Sequence, residues 1–339
     1  PETHIRHFLN HRPAKPVVVI MVFNSPEALP SDSDNAIQLA QEYDARIRSQ
    51  KSLEDTVSIT GAQLVGDHLY SAKTSGNCTL YLLDRCCDDY LIPRKQGVGL
   101  ARKLGMDLAI KLTLMQFERH HKIASWIHSC DADVVLPEAY FDIPAPTDTD
   151  AVSLYPFEHV AEPGYEQSMA LYEFSLRYYV EQLHDAGSPY AFHSIGSLIA
   201  VSPLAYVQVR GMPKRSGAED FYLLNKLAKV GRINALEKPL LQVAGRPSHR
   251  VPFGTGPAIS KIKSLSDPIN DYQFYNPATF AALKCLLTIV SEAEQSISSV
   301  DILFQKIQDR MPLDVSRTML AALVALKIKK QFKHFSHYN

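Results

Sequence analysis

A thirteen-residue stretch, SWIHSCDADVVLP from Ser125 to Pro137, constrains this chain more than any other. A short, mostly apolar run, Trp126 to Cys130, stops at Asp131-Ala132-Asp133 and is closed by Val134-Val135-Leu136-Pro137. That pattern predicts a buried strand whose C-terminal end opens into a crevice, the place where ligands sit in open α/β sheets. Two carboxylates one residue apart suit a hard divalent cation, because Mg2+ and Mn2+ commonly take one or two carboxylates together with substrate phosphate oxygens. An Asp-x-Asp turn exposed to water is the plain alternative, so the rest of the chain has to decide.

Upstream, the apolar and β-branched run Pro16 to Phe23 predicts a central parallel strand covered on both faces, ending at Asn24-Ser25-Pro26. A helix is expected from about Asp34 to Ser49, whereas Lys51 to Asn77 shows no clear pattern. The next apolar run, Cys78 to Leu83, ends at Asp84-Arg85, a second strand end bearing a carboxylate. Then Pro93 to Lys103 forms a basic, glycine-containing turn running into a helix with Leu100, Leu104, Leu108, Leu112 and Met115 on one side. Backbone at that helix start, around Gly97, is a candidate phosphate cradle to which Arg94, Lys95, Arg102 and Lys103 could add charge; a solvated basic turn is the alternative. Strand, helix, strand, helix, strand is the alternation of a doubly wound α/β domain, and Ala151 to Tyr155 extends the sheet.

Met169, Tyr172, Leu176, Tyr179 and Leu183 recur at helical spacing and read as the packed side of a helix, with Glu158, His159, Tyr165 and His193 in flanking loops. After an apolar strand at Gly196 to Val201 comes Ser216-Gly217-Ala218-Glu219-Asp220, where Ser216 and Glu219 have capping-box spacing ahead of a helix buried through Phe221, Leu224, Leu227 and Ala228. Asp220 either stands near the positive helix end or points into the crevice. Ala244 to Pro257 is an irregular loop in which His249 could complete a metal shell and Arg246 or Arg250 could clamp a diphosphate.

The tail from Asn276 reads as helices at Ala278 to Glu294, Val300 to Arg310 and Val315 to about Phe332. Its apolar Met319 to Leu326 followed by a basic Lys327 to Lys333 fits a packed helix with a frayed end, with docking on a membrane surface or a second subunit as alternatives. With 339 residues the chain has room for a substantial core in one elaborated domain or two. Its net charge of -1 argues against nucleic acid as a partner. No run resembles a signal peptide or a membrane span, though the chain opens on Pro1 rather than Met. An odd set of five cysteines without framework spacing favours reduced thiols in a cytoplasmic compartment. The vicinal Cys86-Cys87 lacks the second Cys or His pair of a zinc site, which leaves it as buried or incidental thiols.

Taken in order, Asn24, Asp84, Gly97 to Lys103, Asp131-Ala132-Asp133 and Gly217-Ala218-Glu219-Asp220 resemble the glycosyltransferases of the GT-A fold, especially family 2. GVGLARKLGMDLAI looks like that family's Gly-x-Ala-x-Ala-Arg-Asn-x-Gly helix, CDADVVLP like its Asp-x-Asp strand end, and GAEDFYLLNKLAKVG like its Glu-Asp helix; the similarity spans Pro16 to Pro257. Lys103 stands where Asn is usual, and Asp84-Arg85-Cys86-Cys87 replaces the usual Asp-Asp-Gly-Ser. The resemblance implies a Rossmann-like, mostly parallel sheet flanked by helices over residues 1–260 and a helical C-terminal extension over 261–339. It also implies a metal-dependent enzyme that moves a sugar from a nucleotide-sugar donor to a hydroxyl acceptor. Asn24, Asp84, Gly97, Arg102, Asp131 and Arg250 would contact the donor, with Asp84 near the base and Asp131 near the ribose or sugar. Asp131, Asp133 and His249 would hold Mn2+ or Mg2+, while Asp220, beside Glu219, would be the base of an inverting reaction. A haloacid-dehalogenase-like phosphatase with Asp131 as nucleophile, and a domain that binds sugar or nucleotide without turnover, are the competing readings.

Overall fold

The computed structural model describes residues 15–27, 36–74, 76–120, 125–132, 134–247, 254–296 and 300–326. In chain order they form β1 (Val17–Asn24), α1 (Ala36–Thr60), the antiparallel β2 (Gln63–Gly66) and β3 (Leu69–Lys73), β4 (Cys78–Arg85) and α2 (Gly97–His120). Then come β5 (Ile127–Ser129), β6 (Val134–Val135), β7 (Asp150–Leu154), β8 (Phe157–Ala161) and α3 (Glu166–Asp185). These are followed by β9 (Ile199–Val201), α4 (Pro203–Gln208), α5 (Glu219–Leu227), β10 (Arg232–Ala235), β11 (Leu241–Gly245) and α6 (Thr255–Lys263). The described chain closes with α7 (Pro268–Asp271), α8 (Pro277–Ser296), α9 (Val300–Arg310) and α10 (Leu313–Ala325).

The protein is α/β, but its sheets are mixed rather than mostly parallel. They run β1-β4-β3-β2, β10-β7-β9-β5 and β6-β11-β8. Parallel pairing occurs at β1·β4, β7·β10 and β8·β11, while β3 and β9 run antiparallel to both of their neighbours. The stretch that showed no pattern, Lys51 to Asn77, contains the end of α1 and the β2–β3 hairpin. Its strands are short and largely exposed, so no apolar alternation marks them.

That hairpin also changes the place of β1. β1 ends its hydrogen-bonded sheet, with Val18 exposed, whereas β4 lies inside it and buries Leu80 and Leu82 completely. The parallel register still sets Phe23 opposite Asp84 and Asn24 opposite Arg85, so both carboxy-terminal strand ends share one edge. In α2 the expected leucine stripe is only half-buried and Met115 is exposed, whereas Gly99, Ala101 and Met106 are buried.

Two compact units make up the chain, one of residues 1–166 with 194–257, the other of 167–193 with 258 onward. Most of α3 thus groups with the C-terminal helices rather than with the sheets. In this second unit Tyr178 and Tyr179 pack edgewise on Phe280, and Ile289, Leu303, Ile307 and Met311 form a buried cluster between α8, α9 and α10. The basic segment after Leu326 lies outside the described residues. Among the described residues, no helix is long and apolar enough to cross a membrane.

One buried carboxylate fixes the start of β7 to the neighbouring β10. Asp150 accepts hydrogen bonds from Thr147 N and Oγ1 (2.9 and 2.6 Å), Asn234 Nδ2 (2.9 Å) and Arg232 Nη2 (3.1 Å). The Thr147 hydroxyl, ahead of the other donors, draws its pKa down to about 2. The stabilisation from this lowered pKa is complete above the ordinary carboxylate range and is lost as pH falls towards 2. Asp150→Ala is expected to cost about 2 kcal/mol, read as a lower urea midpoint at neutral pH, with the difference from wild type shrinking below pH 3.

Candidate active site

The centre of the first unit is Arg102, one turn into α2. Its side chain is 12% exposed, and its guanidinium is divided among four partners. Nη1 donates to Ser129 Oγ at 2.7 Å and to the Gly196 carbonyl at 2.8 Å, Nη2 donates to Asp131 Oδ1 at 2.6 Å, and Nε forms an ion pair with Glu219 Oε1 at 3.1 Å. One side chain thus ties α2 to the end of β5, to the turn before β9 and to the start of α5. Burial opposes its charge, but Asp131, Glu219 and Asp220 more than offset that and hold the guanidinium above its already high pKa.

Glycines make this convergence possible. A Cβ on Gly196 would stand 2.7 Å from Arg102 Nη2, so a side chain there would displace the guanidinium. At the head of α2, a Cβ on Gly99 would lie 2.4–2.6 Å from backbone atoms of Pro213 and Arg215, and Gly99 N donates to Arg215 O at 2.9 Å. Gly97, with φ +40°, meets Ser216 in the same way. The expected phosphate cradle is therefore filled by the protein's own chain: these glycines let the segment before α5 press against the first turn of α2.

The capping box is replaced by a different use of Glu219. Ala218 caps α5 in the left-handed conformation at φ 56°, without a side-chain hydrogen bond. Glu219 is buried on the same face as Leu223, Leu224 and Leu227, while Phe221, expected in that stripe, is 47% exposed. A carboxylate on an apolar helix face needs a cation, and Arg102 is that cation. Burial raises the pKa of Glu219, with Arg102 pulling the other way.

Beside it, Asp220 is half-buried, with Oδ1 accepting from Phe221 N at 2.7 Å. Burial raises its pKa, and the negative charge of Asp131 adds to that against the pull of Phe221 N and Arg102. Asp131 is also half-buried; with Oδ1 on Arg102, its Oδ2 carries no hydrogen bond among the described residues. Arg102, Asp131, Glu219 and Asp220, 118 positions apart from first to last, thus fall within one electrostatic neighbourhood.

Other residues read from the sequence fall elsewhere. Asn24 is exposed, with its amide reaching only the Val22 carbonyl at 3.5 Å. Asp84 turns to its own loop, accepting from Cys86 N at 2.7 Å and from Cys87 Sγ at 3.0 Å. Glu158 and His159 lie on β8 rather than in a loop. Asp133, His249 and Arg250 lie outside the described residues.

Around His128 of β5 is an aromatic cluster that the sequence did not show. His128 packs on Tyr140 and Phe141, with Nδ1 3.1 Å from the Tyr155 hydroxyl, which donates to Tyr140 O at 2.6 Å. Alternation along β5 marks His128 as facing away from Ile127 and Ser129, but its aromatic partners come from up to 27 residues downstream. Burial pushes its pKa down to about 4. A histidine kept neutral in the fold must charge on acidification, so stability present above pH 6.5 falls as pH drops through 4, by about 3 kcal/mol. His128→Gln is expected to flatten that acid slope, measured by urea unfolding between pH 4 and 7.

Compared with known proteins, the chain matches no family model, no curated protein and no solved structure.

Proposed function

We propose that this chain is a metal-dependent glycosyltransferase of GT-A type, transferring a sugar from a nucleoside-diphosphate sugar to an acceptor hydroxyl. The observation that carries the reading is the Arg102 bridge. It joins the carboxylate at the end of β5 to the Glu-Asp pair opening α5, the two places that a donor-binding Asp-x-Asp and an acceptor-side base would occupy.

In this reading Asp220 removes the acceptor proton. Its Oδ1 is anchored on the backbone, and burial makes it a stronger base than a solvated aspartate. Arg102 fixes Asp131 by Oδ1 and leaves Oδ2 for the donor side. Glu219 balances the buried guanidinium and acts as a positioning residue rather than as a second base. Asp131, through Oδ2, together with Asp133 and His249, would hold Mn2+ or Mg2+. That cation would supply Lewis-acid stabilisation of the negative charge growing on the departing diphosphate. Asp131 fits by its open oxygen and Asp133 by its residue type, both being the carboxylates such an ion favours, whereas the imidazole of His249 departs from that preference.

The test is a thermal-shift and hydrolysis panel of nucleoside diphosphates and nucleotide sugars, with and without Mn2+. A ligand held by the native state raises apparent stability by mass action, so one nucleotide should give a metal-dependent shift and its sugar conjugate slow release of free sugar. No shift and no release with any donor would overturn the reading. Phosphomonoester hydrolysis lost in Asp131→Asn would replace it with the phosphatase.

A further inference from the structure

Independently of glycosyl transfer, we infer that His68, Asp84 and Cys87 form a binding site for a zinc-class cation at the end of β4. The three residues come from the β2–β3 turn, the end of strand β4 and the loop after it. Cys87 Sγ lies 3.1 Å from His68 Nδ1 and 3.0 Å from Asp84 Oδ2, and the histidine nitrogen and carboxylate oxygen are 3.7 Å apart. In a tetrahedral site neighbouring ligand atoms stand about 1.6 bond lengths apart, so Zn–N and Zn–O bonds place nitrogen and oxygen roughly 3.3–3.5 Å apart, and a Zn–S bond places sulfur roughly 3.5–3.7 Å from either. The triangle is near that size: on binding, the two sulfur distances would open by about half an ångström and the nitrogen–oxygen distance would close by about a third of one.

The surroundings hold these atoms in place. Antiparallel pairing of β3 with β4 sets Leu69 opposite Leu83, and Asp84 N donates to His68 O at 2.9 Å, so the hairpin delivers His68 to Asp84. Asp84 Oδ1 is occupied by Cys86 N, which leaves Oδ2 as a single-oxygen ligand. On the far side of the imidazole, Nε2 lies 3.7 Å from Asp67 Oδ1, and Asp67 Oδ2 is held by the Tyr90 hydroxyl at 2.6 Å. A carboxylate behind a ligating histidine is the usual outer partner that orients such a ring. Tyr90 also packs on the His68 ring with centroids 4.1 Å apart. His68 is one-third exposed, so a cation can enter and keep water as its fourth ligand.

Ligand chemistry selects the ion. Thiolate, imidazole and one carboxylate suit zinc and its near relatives, whereas Mg2+, Ca2+ and Mn2+ favour all-oxygen shells. A cysteine nucleophile is disfavoured, because burial and the Asp84 carboxylate push the Cys87 thiol up to about 11; a bound cation would take the proton's place. This site uses none of the residues assigned to Mn2+ or Mg2+ above.

The full chain, stripped with chelator under reducing conditions, is titrated with Co2+ and then Zn2+. The expected result is one Co2+ per chain with a thiolate-to-cobalt charge-transfer band, bleached by one equivalent of Zn2+. The band should be lost in Cys87→Ser and in His68→Gln, kept in Cys130→Ser and Cys285→Ser, and formed with about tenfold weaker affinity in Asp67→Asn. Circular dichroism establishes that Cys87→Ser, a near-isosteric change, remains folded. No thiolate band in the wild type, or a band that survives either Cys87→Ser or His68→Gln, overturns the site. Donor binding with Mn2+ is measured on the same samples, so failure here is separate from failure of the transferase reading.

Discussion

Replacing Arg102 by Gln should destabilise the protein by about 3–5 kcal/mol, the cost of leaving buried carboxylate charge without its cation. In the wild type the guanidinium satisfies Asp131, Ser129 and Gly196 and balances Glu219, a carboxylate set among leucines. Lysine keeps the charge but offers one compact ammonium in place of a planar fork, so Arg102→Lys should recover only part of the loss. The Arg102→Gln, Glu219→Gln double variant separates charge from shape. If the unpaired Glu219 dominates the cost, the double variant is more stable than Arg102→Gln alone in urea unfolding at neutral pH. Equal stability of the two would assign the cost to the bonds with Asp131, Ser129 and Gly196.

If the proposed transferase reading holds, Asp220→Asn should lower kcat by about 10²- to 10⁴-fold, the range for removing a positioned general base, with donor binding little changed. Asparagine preserves the Phe221 N contact through its amide oxygen, so the fold and α5 should survive. The pH profile supplies a readout that a structural role would not move. The rate should fall as pH drops through a raised carboxylate pKa, since burial and Asp131 favour the protonated form of Asp220. A variant with wild-type turnover, or an unchanged acid limb, would remove Asp220 from the chemistry.

Arg102 and Asp220 are coupled through the packing of α2 against the segment before α5. Gly99 and Gly97 allow the contact, and the pair Arg102–Glu219 closes it. A change at either glycine would therefore act on Asp131 and Asp220 together, through backbone position rather than through lost chemistry. The His68 cluster joins the β2–β3 hairpin to the end of β4 in a different sheet from β5, and its cation would stabilise that junction without touching Arg102.

The sequence by itself determined the α/β class, most of the long elements and the chemical character of the strand ends. Apolar runs and helical spacing mark where an element lies, so β1, β4, β7, α2 and the C-terminal helices were legible as elements, although β1 ends its sheet and the leucine side of α2 is only half-buried. The ordered series of Arg102, Asp131, Glu219 and Asp220 could be picked out through its resemblance to GT-A glycosyltransferase motifs; of the four only Asp131 stands where an apolar run stops at a charge. Only the tertiary structure decided what those residues do to one another. Strand pairing depends on the path of the chain between strands, so the antiparallel placement of β3 and β9, and with it the mixed sheets, has no signature in residue period. The same holds for partners distant in sequence. Glu219 left its expected cap for an arginine 117 positions away, and Cys87 found in His68 the ligand that its own neighbourhood lacked. Local pattern encodes which face a side chain takes; which group waits on that face is fixed by chain crossings that bring remote segments within hydrogen-bond reach.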